Sequence, residues 1–459
     1  MNIFQKLNNT QPVKSPVAHV RKEPHPFEDF KVKYMDSVSG SWCGAKWFEG
    51  TIWLYQGATA SCHHNPFHKI ELDENDPSSL QNTPQKVRER NAMMQGKQPS
   101  GCDYCWSVER NGGVSDRVIK TQAIPRQRII DWHLNGKPLR ETPYMIELAF
   151  ERTCNLACAY CGPSFSSKWA TDVRNKGPYQ DIVTDTRYNT DSDHDMIYEN
   201  QERNPYVEAF FRWWPDLEPK LKWLRVTGGE PLMSPNFWRF LDLINERNSF
   251  NGLLSINTNL INHKGEVDRL IAKTKNFKVK IHTSLESSFQ EAEYVRDGFE
   301  RETWLTNAKK ILDDTNLVLN VTTSVSSLTA WTFIDYLKLM GELKQQYGSD
   351  RIEISCNFVH YPVFMRVQLI PKGRRQPIAK EIAQWLEQNQ NLLHPTEKEH
   401  LQRFADIMYN ASARLDESHL DINDAFRDLK TFIAQYDQRR NKNFRESLDP
   451  RFVEWYDRL

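Results

Sequence analysis

Between residues 139 and about 375 the chain alternates two patterns. Short runs in which every second residue is apolar take turns with longer stretches of helical periodicity. Six short runs stand out: Tyr144–Phe150, Lys222–Thr227, Leu253–Asn259, Val279–Glu286, Leu317–Ser324 and Ile352–Phe358. A helical stretch separates each pair, which is the repeat of a parallel sheet curling toward a barrel. Side chains alternate across a strand. In the fourth run Val279, Ile281 and Leu285 share one face, and Lys280, His282, Ser284 and Glu286 share the other. In the third, Ser255, Asn257 and Asn259 oppose Leu254, Ile256 and Leu260, and in the fifth Asn320, Thr322 and Ser324 oppose Leu317, Leu319 and Val321. The sixth sets Glu353, Ser355 and Asn357 against Ile352, Ile354 and Phe358. The apolar sets predict contact with helices, and the polar sets predict an interior. A fully packed barrel fills its centre with branched apolar side chains. A polar lining therefore predicts a cavity for a polar ligand, with functional loops at the C-terminal ends of the strands.

The flanks read differently. Residues 1–30 are polar and punctuated by proline, an irregular arm. Residues 31–138 hold four cysteines, strand-like pieces such as Gly50–Tyr55, and a short helix over Asn82–Met94. Residues 376–459 are helical, with apolar periodicity in Ile378–Leu386, Leu401–Tyr409 and Ala425–Tyr436. Asn175–Asn204 is rich in Asp, Asn and Tyr without periodicity and reads as a long loop.

Length and composition narrow the class. A chain of 459 residues predicts two or three domains. Lys+Arg and Asp+Glu are both 60, so nothing in the charge balance predicts a nucleic-acid partner. The sequence has no run of eighteen apolar residues, so no membrane span is expected. The first ten residues lack the apolar core of a signal peptide, which predicts a cytoplasmic chain. Of eight cysteines, seven fall into two compact groups. Clustered thiols in a reducing compartment bind metal more often than they form disulfides. The eighth, Cys356, lies on the apolar face of the sixth run and reads as a buried structural thiol.

The first cysteine group is Cys154, Cys158 and Cys161, spaced C-x3-C-x2-C, with Tyr160 just before the last. Three thiolates held this close suit a cube of four irons with one iron left unligated, the open position a catalyst needs. The spacing alone also fits a zinc knuckle. Gly228-Gly229-Glu230-Pro231 follows the second run, where two glycines let the backbone approach a ligand closely. The second group is Cys43, Cys62, Cys102 and Cys105, with Gly57 five residues before Cys62. Four thiolates close a cluster with no open iron. A four-cysteine zinc site, or one recruiting His63, His64 or His68, is the alternative.

In these motifs the chain resembles the radical S-adenosylmethionine (SAM) superfamily, and within it the proteins carrying a twitch (SPASM-like) domain. The resemblance implies an α/β fold: a partial six-stranded (β/α) barrel over 139–375, preceded by a twitch-like domain at 31–138 and followed by a helical region at 376–459. It implies that Cys154, Cys158 and Cys161 hold a [4Fe-4S] cluster whose free iron binds SAM. Reductive cleavage of SAM then yields a 5′-deoxyadenosyl radical that removes a hydrogen atom from substrate. By the same resemblance Tyr160 packs near the cluster or adenine. Gly228 and Gly229 bond the SAM amino group, assisted by Glu230. Asn257, Asn259 and Ser284 contact ribose and carboxylate. Arg296, in Tyr294-Val-Arg-Asp-Gly298, pairs with the methionyl carboxylate. Cys43, Cys62, Cys102 and Cys105 are the expected ligands of an auxiliary [4Fe-4S] cluster, although in most relatives that domain follows the barrel. The implied partners are a polar small-molecule or peptide substrate and a one-electron donor such as flavodoxin or ferredoxin. A zinc-stapled interaction protein without catalysis is the alternative reading.

Overall fold

A computed structural model describes residues 28–188, 197–198, 203–261, 265–410 and 421–459. The predicted arm, residues 1–30, lies almost wholly outside that set, and part of the predicted 175–204 loop does too.

Eleven strands organise the described chain: β1 Glu49–Trp53, β2 Ala58–Ala60, β3 His68–Lys69, β4 Met145–Ala149, β5 Ala157–Cys158, β6 Trp223–Thr227, β7 Leu253–Asn257, β8 Lys278–Ser284, β9 Arg296–Asp297, β10 Val318–Val325 and β11 Ile352–Phe358. Nine form one sheet in the order β11-β10-β8-β7-β6-β4-β1-β2-β3. The six strands read from the sequence are all present, parallel and in sequence order. The sheet does not stop there. β1 pairs in parallel with β4, with Thr51 opposite Glu147, and β2 and β3 continue antiparallel as its edge. Strands β1–β3 of the region before residue 139 thus belong to the same sheet as the six. β1 overlaps the strand-like Gly50–Tyr55 run, but a strand's sequence does not report its partner.

Helices cover the outer face. Those of the first region are α1 Pro84–Met94, α2 Asp103–Arg110 and α3 Asp116–Ala123. The crossovers between the parallel strands are α4 Ser167–Lys176, α5 Pro205–Leu217, α6 Pro235–Arg247, α7 Glu266–Thr274, α8 Arg301–Asp314 and α9 Phe333–Tyr347. α10 Lys372–Gln388, α11 Pro395–Asn410 and α12 Ile422–Arg440 follow. Some of their starts are marked by side-chain caps. Thr83, Asn204 and Ser234 each accept from a backbone N–H of the first turn, ahead of a proline at the first helical position.

Apolar strand faces and helices fuse into one core from Ile52 to Trp455. A smaller core around Trp42, Trp47 and Trp132, with ring centroids 5.3–5.9 Å apart, supports the N-terminal region and includes Cys43 and Cys102. Among the described residues no helix is long and apolar enough to cross a membrane.

Candidate metal centre and ligand cavity

The loop after β4 carries Cys154, Cys158 and Cys161, and many backbone contacts fix it. β5 inside this loop pairs antiparallel with β9, so that Cys158 faces Arg296. Cys154 N–H donates to Ser167 Oγ (3.0 Å), and Cys161 N–H donates to the Cys158 carbonyl (2.9 Å). Trp169 Nε1 donates to that same carbonyl (2.9 Å), and Tyr188 Oη to the Ala159 carbonyl (2.6 Å). From α12, Tyr436 Oη reaches the carbonyls of Ala157 in β5 (3.2 Å) and of Tyr294, two residues before β9 (3.1 Å). Arg440 lies over the Trp169 and Tyr436 rings at 4.4 and 4.3 Å. From the N-terminal region, Tyr55 Oη donates to the Ser164 carbonyl (3.1 Å).

The three thiols line one end of a cavity of about 270 Å³ above the C-terminal ends of the strands. Gly228, Gly229, Asn257, Asn259, Ser284 and Arg296 line it as well, so most of the residues singled out in the sequence share one space. A larger groove of about 730 Å³ lies outside α6, against Trp238 and Arg239, away from this chemistry. Burial pushes the Cys158 thiol up to about 12 and raises those of Cys154 and Cys161. Two guanidinium groups oppose the rise: Arg296 beside Cys158, and Arg187 together with Arg296 beside Cys161.

The geometry also shows what holds each of these residues in place. Gly228 (φ +132°) and Gly229 are required by the protein's own backbone. A Cβ on Gly228 would stand 2.5 Å from the Glu151 carbonyl oxygen, and one on Gly229 closer still to the carbonyls of Arg152 and Thr153. The Gly-Gly turn is thus packed against the strand exit that leads to Cys154, and its outer side faces the cavity.

Glu230 does not present its carboxylate there. It is buried, accepting from Leu232 N–H (3.0 Å), Thr258 Oγ1 (2.7 Å) and Asn259 N–H (2.7 Å), and so ties the β6 turn to the β7 turn. Burial raises it to about 7 against these donors. Asn259 turns its amide to Asn155 Oδ1 (2.7 Å), and Asn257 Oδ1 accepts from Arg225 Nε (3.0 Å).

Arg296 is not a free fork. Its Nη1 donates to Glu286 Oε1 (3.0 Å) and Tyr160 Oη (3.2 Å), while Tyr160 Oη donates to the same Glu286 oxygen (2.6 Å). Tyr160, Glu286 and Arg296 thus form a buried triad beneath Cys158. The short β9 ladder, which no sequence pattern announces, is what places Arg296 there.

The cavity floor was only partly named in advance. Arg225, His282 and Thr322 line it. A polar network spreads from them, with Lys280 bonded to Glu353 (2.7 Å) and Asn320 to Glu353 (3.1 Å) and Ser355 (3.0 Å). His282 Nε2 is buried with no hydrogen-bond partner. Strand alternation had already placed His282 on this face. Arg187 carried no signal, because it lies in the aperiodic 175–204 segment.

Cys43, Cys62, Cys102 and Cys105 together line a second, enclosed pocket. Asn65 Oδ1 lies 3.3 Å from the Cys62 Sγ and 3.8 Å from that of Cys102. Burial raises Cys43 to about 12, with Cys102 and Cys62 adding to it, and raises Cys102 to about 11. Lys46 and Arg117 stand beside the pocket as counter-charges. This pocket sits at the N-terminal end of β1, whereas the other cysteines sit past the C-terminal end of β4, the parallel neighbour of β1. Five-residue strands separate the two by roughly 15 Å or more.

No protein-family model and no curated protein matches the chain. Among solved structures it is similar to Streptococcus suis SuiB bound to S-adenosylmethionine, with 12% identity over 74% of this chain and 67% of that one and a TM-score of 0.34. It is also similar to anSMEcpe with bound AdoMet, with 12% identity over 69% of this chain and 96% of that one and a TM-score of 0.37. The functional reading stands on the residues of this chain.

Proposed function

We propose that the chain is a radical SAM enzyme carrying a second iron–sulfur cluster, and that it acts on a polar small molecule or a peptide side chain. One observation carries the reading: three cysteines, a Gly-Gly turn and a polar strand lining converge on one cavity at the C-terminal end of a parallel sheet. Cys154, Cys158 and Cys161 would hold a [4Fe-4S] cluster, and Cys43, Cys62, Cys102 and Cys105 a second one in the N-terminal, twitch-like region. When bound, the first cluster and SAM supply one-electron cleavage of the SAM sulfonium and a 5′-deoxyadenosyl radical that removes a hydrogen atom from substrate.

Sulfur spacing supports clusters over single ions. Three thiolates on one tetrahedral zinc lie about 3.8 Å apart, as bonds of about 2.3 Å require. Among the described residues no three cysteine sulfurs fall within 4.8 Å of one another. A cube ligated at separate corners keeps its sulfurs farther apart than a single ion does.

The chain's own residues prepare the site. Arg296 and Arg187 favour thiolates at Cys158 and Cys161. The Gly-Gly turn brings main-chain polar groups to the cavity wall, and Ser284 and Thr322 offer hydroxyls. The unpartnered His282 Nε2 favours a ligand with a hydrogen-bonding group on that side, in keeping with a polar substrate. A reducing compartment such as the cytoplasm, with a flavodoxin or ferredoxin as donor, suits eight free thiols.

The test is anaerobic reconstitution with iron and sulfide, then SAM and dithionite, and assay of 5′-deoxyadenosine. Deuterium transfer from labelled candidate substrates would then identify the one used. Stoichiometric zinc with no SAM cleavage would overturn the proposal in favour of a zinc-stapled, non-catalytic protein.

A further inference from the structure

Outside both cysteine groups one cluster of side chains has the geometry of a metal site. His63 and His64 follow Cys62 in the turn after β2, and Asp116 opens α3. Both imidazoles point at one carboxylate oxygen: His64 Nε2 lies 2.8 Å and His63 Nε2 3.1 Å from Asp116 Oδ2. Among the described residues these are the one trio of His, Cys, Asp or Glu whose ligand atoms all fall within 4.8 Å of one another.

The two imidazole–carboxylate contacts, a hydrogen bond of 2.8 Å and a contact of 3.1 Å, are close to the spacings of a coordination polyhedron. Bonds of about 2.1 Å place neighbouring ligand atoms about 3.0 Å apart at right angles and about 3.4 Å apart at tetrahedral angles. The trio is also held in place. The His64 ring lies between His63, 4.1 Å away, and Tyr104, stacked at 3.9 Å. Asp116 is fixed in the first turn of a helix. The neighbouring cation, Lys120, is paired with Glu49 at 2.8 Å and leaves the carboxylate to the imidazoles. His63 is 61% exposed, so the remaining coordination positions face water.

We propose that His63, His64 and Asp116 bind a single divalent late first-row metal ion, separate from the cysteines. Two imidazoles and one carboxylate favour zinc, cobalt, nickel or ferrous iron over magnesium and calcium. With three protein ligands and open positions, the ion would keep exchangeable water. His64 and Asp116 also line the pocket of the four N-terminal cysteines, so the ion would sit at that pocket's mouth.

The test uses iron-loaded protein, in which the cysteines are occupied, titrated with Co2+ under argon. The expected result is one cobalt per chain with ligand-field bands and no sulfur-to-cobalt charge-transfer band. His63→Gln, His64→Gln and Asp116→Asn should each weaken binding by about tenfold or more, with iron content unchanged. His63 is exposed, so its replacement leaves folding intact and keeps the test decisive. Equal cobalt binding in parent and variants, or none in the parent, would overturn the proposal. A sulfur-to-cobalt band would overturn it too, by placing the metal on the cysteines. Low iron at the N-terminal group accompanying that band would mark failure of the auxiliary-cluster reading as well, whereas full iron with no cobalt bound would mark failure of this proposal alone, so the two failures are distinguishable.

Discussion

Cys158 and Arg296 stand opposite each other on the two-rung ladder that joins β5 to β9. The pairing sets a buried guanidinium beside a thiol that the proposed cluster would need as thiolate, and Glu286 holds it there at 3.0 Å. Removing one partner of a buried ion pair costs about 3–5 kcal/mol, because the other charge is left uncompensated. Arg296→Met should therefore destabilise the holoprotein by that amount in urea unfolding. The double variant Arg296→Met/Glu286→Gln should recover most of the loss. A loss below about 1 kcal/mol in the single variant would mean that water reaches the pair.

The open cluster gives a sharper outcome. Cys154→Ala, Cys158→Ala and Cys161→Ala should each abolish 5′-deoxyadenosine formation. Reconstituted parent protein should hold about eight irons and the triple cysteine variant about four. Iron analysis and SAM-cleavage assays check both counts, and a single variant cleaving SAM at the parent rate would displace the assignment.

Gly229→Ala should remove SAM cleavage as well, although glycine bonds no metal. Its Cβ would collide with the carbonyls of Arg152 and Thr153 and push the strand exit out of place. Gly136→Ala is the control, since Gly136 has positive φ but nothing within 4 Å. It should cost about 1 kcal/mol of stability and leave cleavage intact.

The pH dependence of stability should carry a His282 component. Burial, then Arg225 and Lys280, push this imidazole down to about 4 in the folded chain, from an ordinary 6.5. The unfolded chain takes up a proton as pH falls below about 6.5 and the folded chain does not, so stability is lost between about 6.5 and 4 and levels off below. His282→Gln should flatten that part of the difference in urea midpoint. Identical pH profiles for parent and variant would show that His282 titrates freely when folded.

Much of the parallel sheet was legible because alternation is a local property. Thr283 turns outward to accept from Trp304 Nε1 at 2.9 Å, and Ser284 one residue on faces the cavity, as the pattern in the fourth run requires. What was not legible depends on partners distant in sequence. Nothing in Glu49–Trp53 declares that it pairs with β4. Nothing in Tyr294–Gly298 declares that Arg296 is held by Glu286. Glu230 sits in a motif that suggests ligand contact, yet three donors from β7 and its own turn claim the carboxylate. A motif fixes which residue types gather at a site. Which of them face the ligand is decided by hydrogen bonds that form only in the folded chain.

Tyr436 of α12 bonds the carbonyl of Ala157 in β5 and that of Tyr294 just before β9, so the residue that steadies the cysteine loop is made 279 residues after Ala157. At ribosomal rates of about 5–20 residues per second, that is a delay of roughly 10–50 s. During that interval Cys154, Cys158 and Cys161 are outside the ribosome without their brace. If the site takes up the proposed cluster, loading would therefore be a late event in the life of the nascent chain, and oxidation of the bare thiols would be the hazard that precedes it.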